Sequence, residues 1–291
     1  MSARVRGAMT RPLTAAAVCA VIFTAVVPPE AAQRPSQAST PEGQQPPAVP
    51  GGGGRGRGPA APPRTARESA PVDLVGTWVS VVTEDWQWRM RTPPRGDVTS
   101  VPLNPAGRQM ADAWNVADDG KCEAYGVGGI MRMPGRLRIS WQDDHTLKIE
   151  TDAGRQTRLL RFPAPGAAAT RRAGRHTLQG DSVANWVLGR GAFDAFLERG
   201  GGAAGPRQWG SLTVTTTNVS AGWLRRNGVP YSQNAVISEQ FTRFTHPVAG
   251  DWFVVTTTVD DPTYLAQPFT TSSNFKKEPD DSKWSPVACR G

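Results

Sequence analysis

The sequence predicts an all-β fold: an antiparallel up-and-down meander of about eight to ten strands that closes into a barrel, with one short helix. Three observations predict it. Nine segments between residues 74 and 275 alternate, or run in β-branched and aromatic residues, between turn signals. Several links between them are too short for a parallel crossover, which needs a dozen or more residues, so those neighbours must be antiparallel. Once the N-terminal segments are set aside, about 220 residues remain, which suits a single β domain. Closing the meander removes its exposed edges.

The N-terminus is read first because it does not belong to that domain. Arg4, Arg6 and Arg11 precede the uncharged apolar run Leu13 to Val27, and Ala31 and Ala32 follow. This is the order of a secretory signal peptide over residues 1–32. Pro29 and Glu30 leave its cleavage site imperfect, and the alternative is an uncleaved anchor, although the run is shorter than the ~20 residues a spanning helix needs. Cys19 has further apolar residues after it, unlike a lipoprotein box. Residues 33–70 are dense in Pro, Gly and small polar groups and are predicted to be a disordered linker, since they cannot bury enough surface to offset their ordering entropy. The Arg-Gly steps at Arg55 and Arg57 are too few for a nucleic-acid tail. Residues 71–291 form the predicted domain.

Within it, "LVGTWVSVV" opens the barrel. "EDWQWRMR" is next, read as a strand with Trp86 and Trp88 on one face and Arg89 and Arg91 on the other. The helix follows, capped by Asn104, with Pro105 in its first turn and Met110, Ala113 and Trp114 on one face. "RLRISW", "TLKIET" and "QTRLLRF" are joined by the tight turns Gln142 to His145 and Asp152 to Gly154. "SVANWVL", "SLTVTTTN", "AVISEQFTRF", "WFVVTTTV" and "PFTTSSNF" complete the set. The glycine-rich stretches Pro163 to Gly174 and Gly189 to Gly205 read as loop insertions, the second holding "AFDAFLER" as a frayed helical turn.

Two stretches carry the candidate site. "GWLRRNGVPYS" is a connection between strands that turns at Asn227-Gly228. It is longer than a tight hairpin requires, which leaves Trp223, Arg225 and Tyr231 to cover a barrel end. In "AVISEQFTRF", Ala235, Ile237, Glu239, Phe241 and Arg243 share one face. If that face is inward, Glu239 needs a partner, for which Arg243, Arg225 and Arg226 are the candidates. If it is outward, Glu239 belongs to a wet cross-strand ion pair. All ten tryptophans lie after residue 77. Trp78, Trp186 and Trp252 read as core or barrel-end plugs, whereas Trp86 and Trp88 beside arginines suit a mouth for an apolar or aromatic ligand or a sugar.

The segments "LQGDSVANWVL", "GSLTVTTTN", "GWLRRNGVPYSQNAVISEQFTRF" and "VDDPTYLAQPFTTSSNFKKEPDDSKWSPVAC", in that order, resemble a widespread group of exported bacterial β-rich proteins without an assigned activity. The resemblance covers Leu178 to Cys289 well and Val75 to Phe162 more loosely. It implies export and a β-rich fold and carries no mechanism; Tyr231 stands where that group often has His. Gly76-Thr77-Trp78 before a meander also resembles the opening of lipocalin-like barrels.

Other chemistry is excluded by what the chain lacks. The formal charge is +8, but eight of the 33 basic and three of the 25 acidic residues fall in the first 70, so the domain is nearly balanced and no polyanion or nucleic-acid partner is implied. His145, His176 and His246 are scattered without metal-ligand spacing, and there is no CxxC, so neither metal nor cofactor is expected. No GxSxG is present, and Ser182 reads as a turn entering a strand. Loss of Cys19 with the signal peptide leaves Cys122 and Cys289, which an oxidising compartment should join. The expectation is a monomeric periplasmic or secreted barrel that binds a small, partly apolar ligand or an envelope component, touching membrane only through an uncleaved signal segment. A hydrolase or isomerase with Glu239 as general base, and a structural envelope protein without a pocket, are the alternatives.

Overall fold

The computed structural model describes residues 64–117, 122–164, 174–189 and 209–289. The signal segment, linker residues 33–63, and most of both glycine-rich insertions, including "AFDAFLER", lie outside the described residues.

In chain order the strands are β1 Gly76–Val81, β2 Arg136–Asp143, β3 Thr146–Thr151, β4 Ala153–Gly154, β5 Thr157–Arg161, β6 Asp181–Gly189, β7 Trp209–Thr217, β8 Gly222–Arg225, β9 Val229–Tyr231, β10 Val236–His246, β11 Gly250–Asp260, β12 Phe269–Lys277 and β13 Val287–Ala288. Nine of them close a barrel in the order β1-β12-β11-β10-β7-β6-β5-β3-β2. Each of the nine patterned segments becomes one barrel strand. The fold is all-β.

A ring of nine strands cannot be antiparallel throughout, because directions that alternate around an odd ring fail to match at one seam. That seam is the parallel pair β5–β6, with Leu160 opposite Ser182 and Arg161 opposite Val183. The strictly up-and-down meander is corrected here: the chain crosses between residues 162 and 180 and starts β6 in the direction of β5.

Side chains occupy the barrel interior. Trp78 meets Phe253 edge-on at 4.8 Å and Phe253 stacks on Phe275 at 4.8 Å, all three fully buried. One end is closed by Trp141, Phe162 and Trp186, and the Trp186 indole N–H donates to the Ala66 carbonyl at 2.8 Å. Residues 64–70 are therefore packed, not part of a disordered linker: Ala66 is buried and the Arg67 amide bonds Asp144 O at 3.1 Å. Trp252 is not core, since its neighbour Phe253 takes the inward position on β11.

The opposite end is capped by residues 82–117 and 122–135 and by the β8–β9 hairpin. Val98, Ala111, Leu224, Val229, Tyr231 and Leu265 form an apolar cluster there, beside Ile237 and Val259 from the barrel rim. Two helices lie in the cap, α1 (Trp86–Arg89) and α2 (Pro105–Ala113). Asn104 Oδ1 accepts from the Gly107 amide at 2.9 Å and caps α2 as expected, but Gly107 and Ala111 face inward while Met110 is exposed. From β12 the C-terminal tail returns over the outside of β2, where Arg138 lies over the Trp284 ring at 4.4 Å. It ends as β13, parallel to β4, and Cys289 is bonded to Cys122 with Cα atoms 5.6 Å apart.

Candidate functional site

The cap is organised by the β8–β9 hairpin. Its turn needs glycine: Gly228 has φ +77°, and a Cβ there would lie 2.1 Å from the Trp114 ring. Asn227 is fully buried, and its side-chain amide donates to Pro94 O and Asp97 O, both at 2.9 Å. Arg226 Nη2 donates to Arg89 O at 2.8 Å. Turn chemistry legible in sequence thus becomes a plate on which residues 85–99 are mounted.

Trp86 and Trp88 belong to α1, which corrects the predicted strand. Residues two apart on a helix do not share a face, so Trp86 is 60% exposed while Trp88 turns inward. Two ion pairs hold this short helix: buried Arg89 with Glu84, and Arg132 Nη2 with Asp85 Oδ2 at 2.9 Å. Burial lowers the Arg89 pKa and Glu84 opposes that shift. The Trp88 indole N–H donates to Asp97 at 2.9 Å, and this bond holds the Asp97 carboxyl below the usual carboxylate range. Trp86, Trp88, Arg91, Pro93, Pro94 and Asp97 border an open groove of about 600 Å³. The two tryptophans meet in one groove after all, by a different geometry from the one predicted.

The remaining candidates divide. Arg225 is buried behind Trp88, with its guanidinium 4.5 Å from the ring centroid, and burial followed by repulsion from Arg132 lowers its pKa to about 10. Trp223 is half-buried on β8 and does not border the groove. Tyr231 is fully buried over the barrel mouth, so tightly that a Cβ at Gly126 would lie 2.1 Å from its hydroxyl. Burial pushes that hydroxyl well above its usual range.

Glu239 is inward, 2% exposed, and its partner is none of the arginines proposed from the sequence. Arg158 on β5 meets it across the barrel in a two-pronged pair, Nη1–Oε1 at 3.0 Å and Nη2–Oε2 at 2.5 Å, with both side chains fully enclosed. Arg243 instead pairs with Asp251 at 2.9 Å across the β10–β11 hairpin. Nearby, buried Asp261 accepts from the Ser232 amide at 2.6 Å and the Ser232 hydroxyl at 2.8 Å, which anchors the strand leaving the hairpin.

Sequence reasoning missed Arg158, Arg89, Arg132 and Asp261. Arg158 carried a signal: it alternates with Leu160 and Phe162 on the apolar face of "QTRLLRF". Arg89 and Arg132 had none, because their burial depends on a segment folding back over the barrel. Among the described residues, no group of three or more His, Cys, Asp or Glu could hold a metal. No protein-family profile, curated protein or solved structure matches this chain.

Proposed function

We propose that this is an exported β-barrel protein that binds a small, partly apolar ligand, free or as part of an envelope component, in the groove beside α1 rather than inside the barrel. One observation carries the reading. Trp86 is held 60% exposed on a helix immobilised by two arginine ion pairs, over a groove of about 600 Å³, within the ~300–1,000 Å³ typical of small-molecule sites. An indole fixed in water beside Pro93 and Pro94 gains by being covered. The Cys122–Cys289 bond fits an oxidising compartment, and no helix among the described residues is long and apolar enough to cross a membrane.

The enzyme reading finds less support. A general base must reach a substrate proton, whereas both Glu239 oxygens are engaged by Arg158 in a fully enclosed pair. Mass spectrometry of small molecules that co-purify with the secreted protein tests the groove. Trp86→Ala should lower bound ligand at least about tenfold, the loss of one anchoring aromatic, at an unchanged melting temperature. Equal ligand content in the two proteins would remove the groove from consideration.

A further inference from the structure

Trp88 also lines a second and much smaller pocket. It holds about 10 Å³ and is lined by Trp88, Gly129, Met133 and Leu224 with the arginines Arg89, Arg132, Arg225 and Arg226. Four arginines line a space the size of one water molecule. Their charges are unevenly balanced. Arg89 has Glu84 and Arg132 has Asp85, while Arg226 is bonded to the Arg89 carbonyl. The remaining carboxylate in the neighbourhood, Asp97, accepts from the Trp88 indole.

Arg225 is the unbalanced member. It is 3% exposed, yet its Nε, Nη1 and Nη2 all lack a hydrogen-bond partner, as does Arg132 Nη1. The Trp88 face at 4.5 Å stabilises the cation but cannot satisfy N–H groups that lie in the guanidinium plane. A buried charge without a hydrogen-bonded counter-ion is strongly disfavoured. Its pKa of about 10 leaves Arg225 cationic at neutral pH, so losing a proton does not relieve it.

We propose that this pocket is a small-anion site, in which Arg225 and Arg132 receive a halide or one oxygen of a carboxylate. The volume sets the size: one such atom fits and a whole sugar or nucleotide does not. The guanidinium fork supplies parallel N–H donors of the kind that bind carboxylates. The free ion and the carboxylate of a larger molecule share this chemistry. Trp88 is the one residue that lines both this pocket and the groove, and the proposal does not rest on any ligand binding in the groove.

The test titrates sodium chloride and sodium acetate into the secreted protein at constant ionic strength, and follows melting temperature and tryptophan fluorescence. A saturable rise of roughly 3–6 °C at tenfold excess over Kd is expected for an occupied site. Arg225→Met, which fills similar volume without charge, should abolish the saturable part. Should Arg225→Met fail to fold, chloride-nucleus line broadening on the wild-type protein serves instead, and acetate should displace the broadened chloride. Displacement by acetate but not by benzoate assigns the site to a free ion, and displacement by both assigns it to a carboxylate on a larger body. No saturable response in either salt, an identical response in Arg225→Met, or no chloride broadening would overturn the proposal.

Discussion

Glu239 and Arg158 meet inside the barrel from β10 and β5, strands that are not neighbours in the sheet. Taking both charges out of water is costly, and the two-pronged geometry offsets it only while both partners are present. Glu239→Gln should therefore destabilise the protein by about 3–5 kcal/mol, a fall in melting temperature of roughly 6–20 °C for a domain of this size. Arg158→Met with Glu239→Leu should recover most of that loss, because apolar side chains of similar volume can replace a buried pair. Thermal melts of the three proteins decide it: a double variant as unstable as the single one would mean that the surrounding packing, not the unpaired charge, sets the penalty. The sequence pointed to Glu239 because a carboxylate sat between Ile237 and Phe241 on one strand face. It could not name Arg158, since the choice among 33 basic residues depends on which strands the closed ring brings face to face.

At the scale of the element, the β8–β9 hairpin links the barrel to the groove. Asn227 is the joint, with two hydrogen bonds to the carbonyls of Pro94 and Asp97. Asn227→Ala removes both part-buried hydrogen bonds, leaving Pro94 O with the Asp97 amide at 3.1 Å and Asp97 O without its side-chain donor, and should cost about 1–3 kcal/mol. The same change frees the 91–99 wall, so ligand retention should fall even below the melting transition, and amide exchange across residues 91–99 should accelerate. Unchanged exchange there would show that the wall stands without the hairpin. The turn at Asn227-Gly228 was readable from two residues. The helix at Trp86–Arg89 was not: four residues with alternating aromatics match a strand pattern equally well, and only buried Arg89, which reaches Glu84 and Arg132 O, selects the helix.

On the scale of the whole molecule, the barrel is closed by the segments that flank it among the described residues. Residues 64–70 seal one barrel end through Trp186, and the tail from Glu278 to Cys289 straps the outside of β2 to the cap through the Cys122 bond. The closed loop spans 167 residues, for which the chain-entropy argument sets an upper bound of about 5 kcal/mol. Thiol labelling with peptide mapping under denaturing, non-reducing conditions should find neither Cys122 nor Cys289 free, and reduction should lower the melting temperature while the strand signal in circular dichroism persists below it. Free thiols at both Cys122 and Cys289 would sink the bridge.

Local pattern determined the nine barrel strands, the Asn104-capped helix, the hairpin turn and the pairing of the last two cysteines. Each of those rests on neighbours in sequence or on simple counting. Tertiary structure decided the parallel seam, which is a parity consequence of nine strands in a ring. It also chose Arg158 for Glu239, turned the Trp86 segment into a helix, and gathered Arg89, Arg132 and Arg225 behind Trp88. Arg89 meets Arg132 O 43 positions away, Glu239 meets Arg158 81 away and Arg226 meets Arg89 O 137 away, and period and propensity describe only what lies within a few residues. The barrel is written in alternation, but the site is written in which loops the closed barrel forces together.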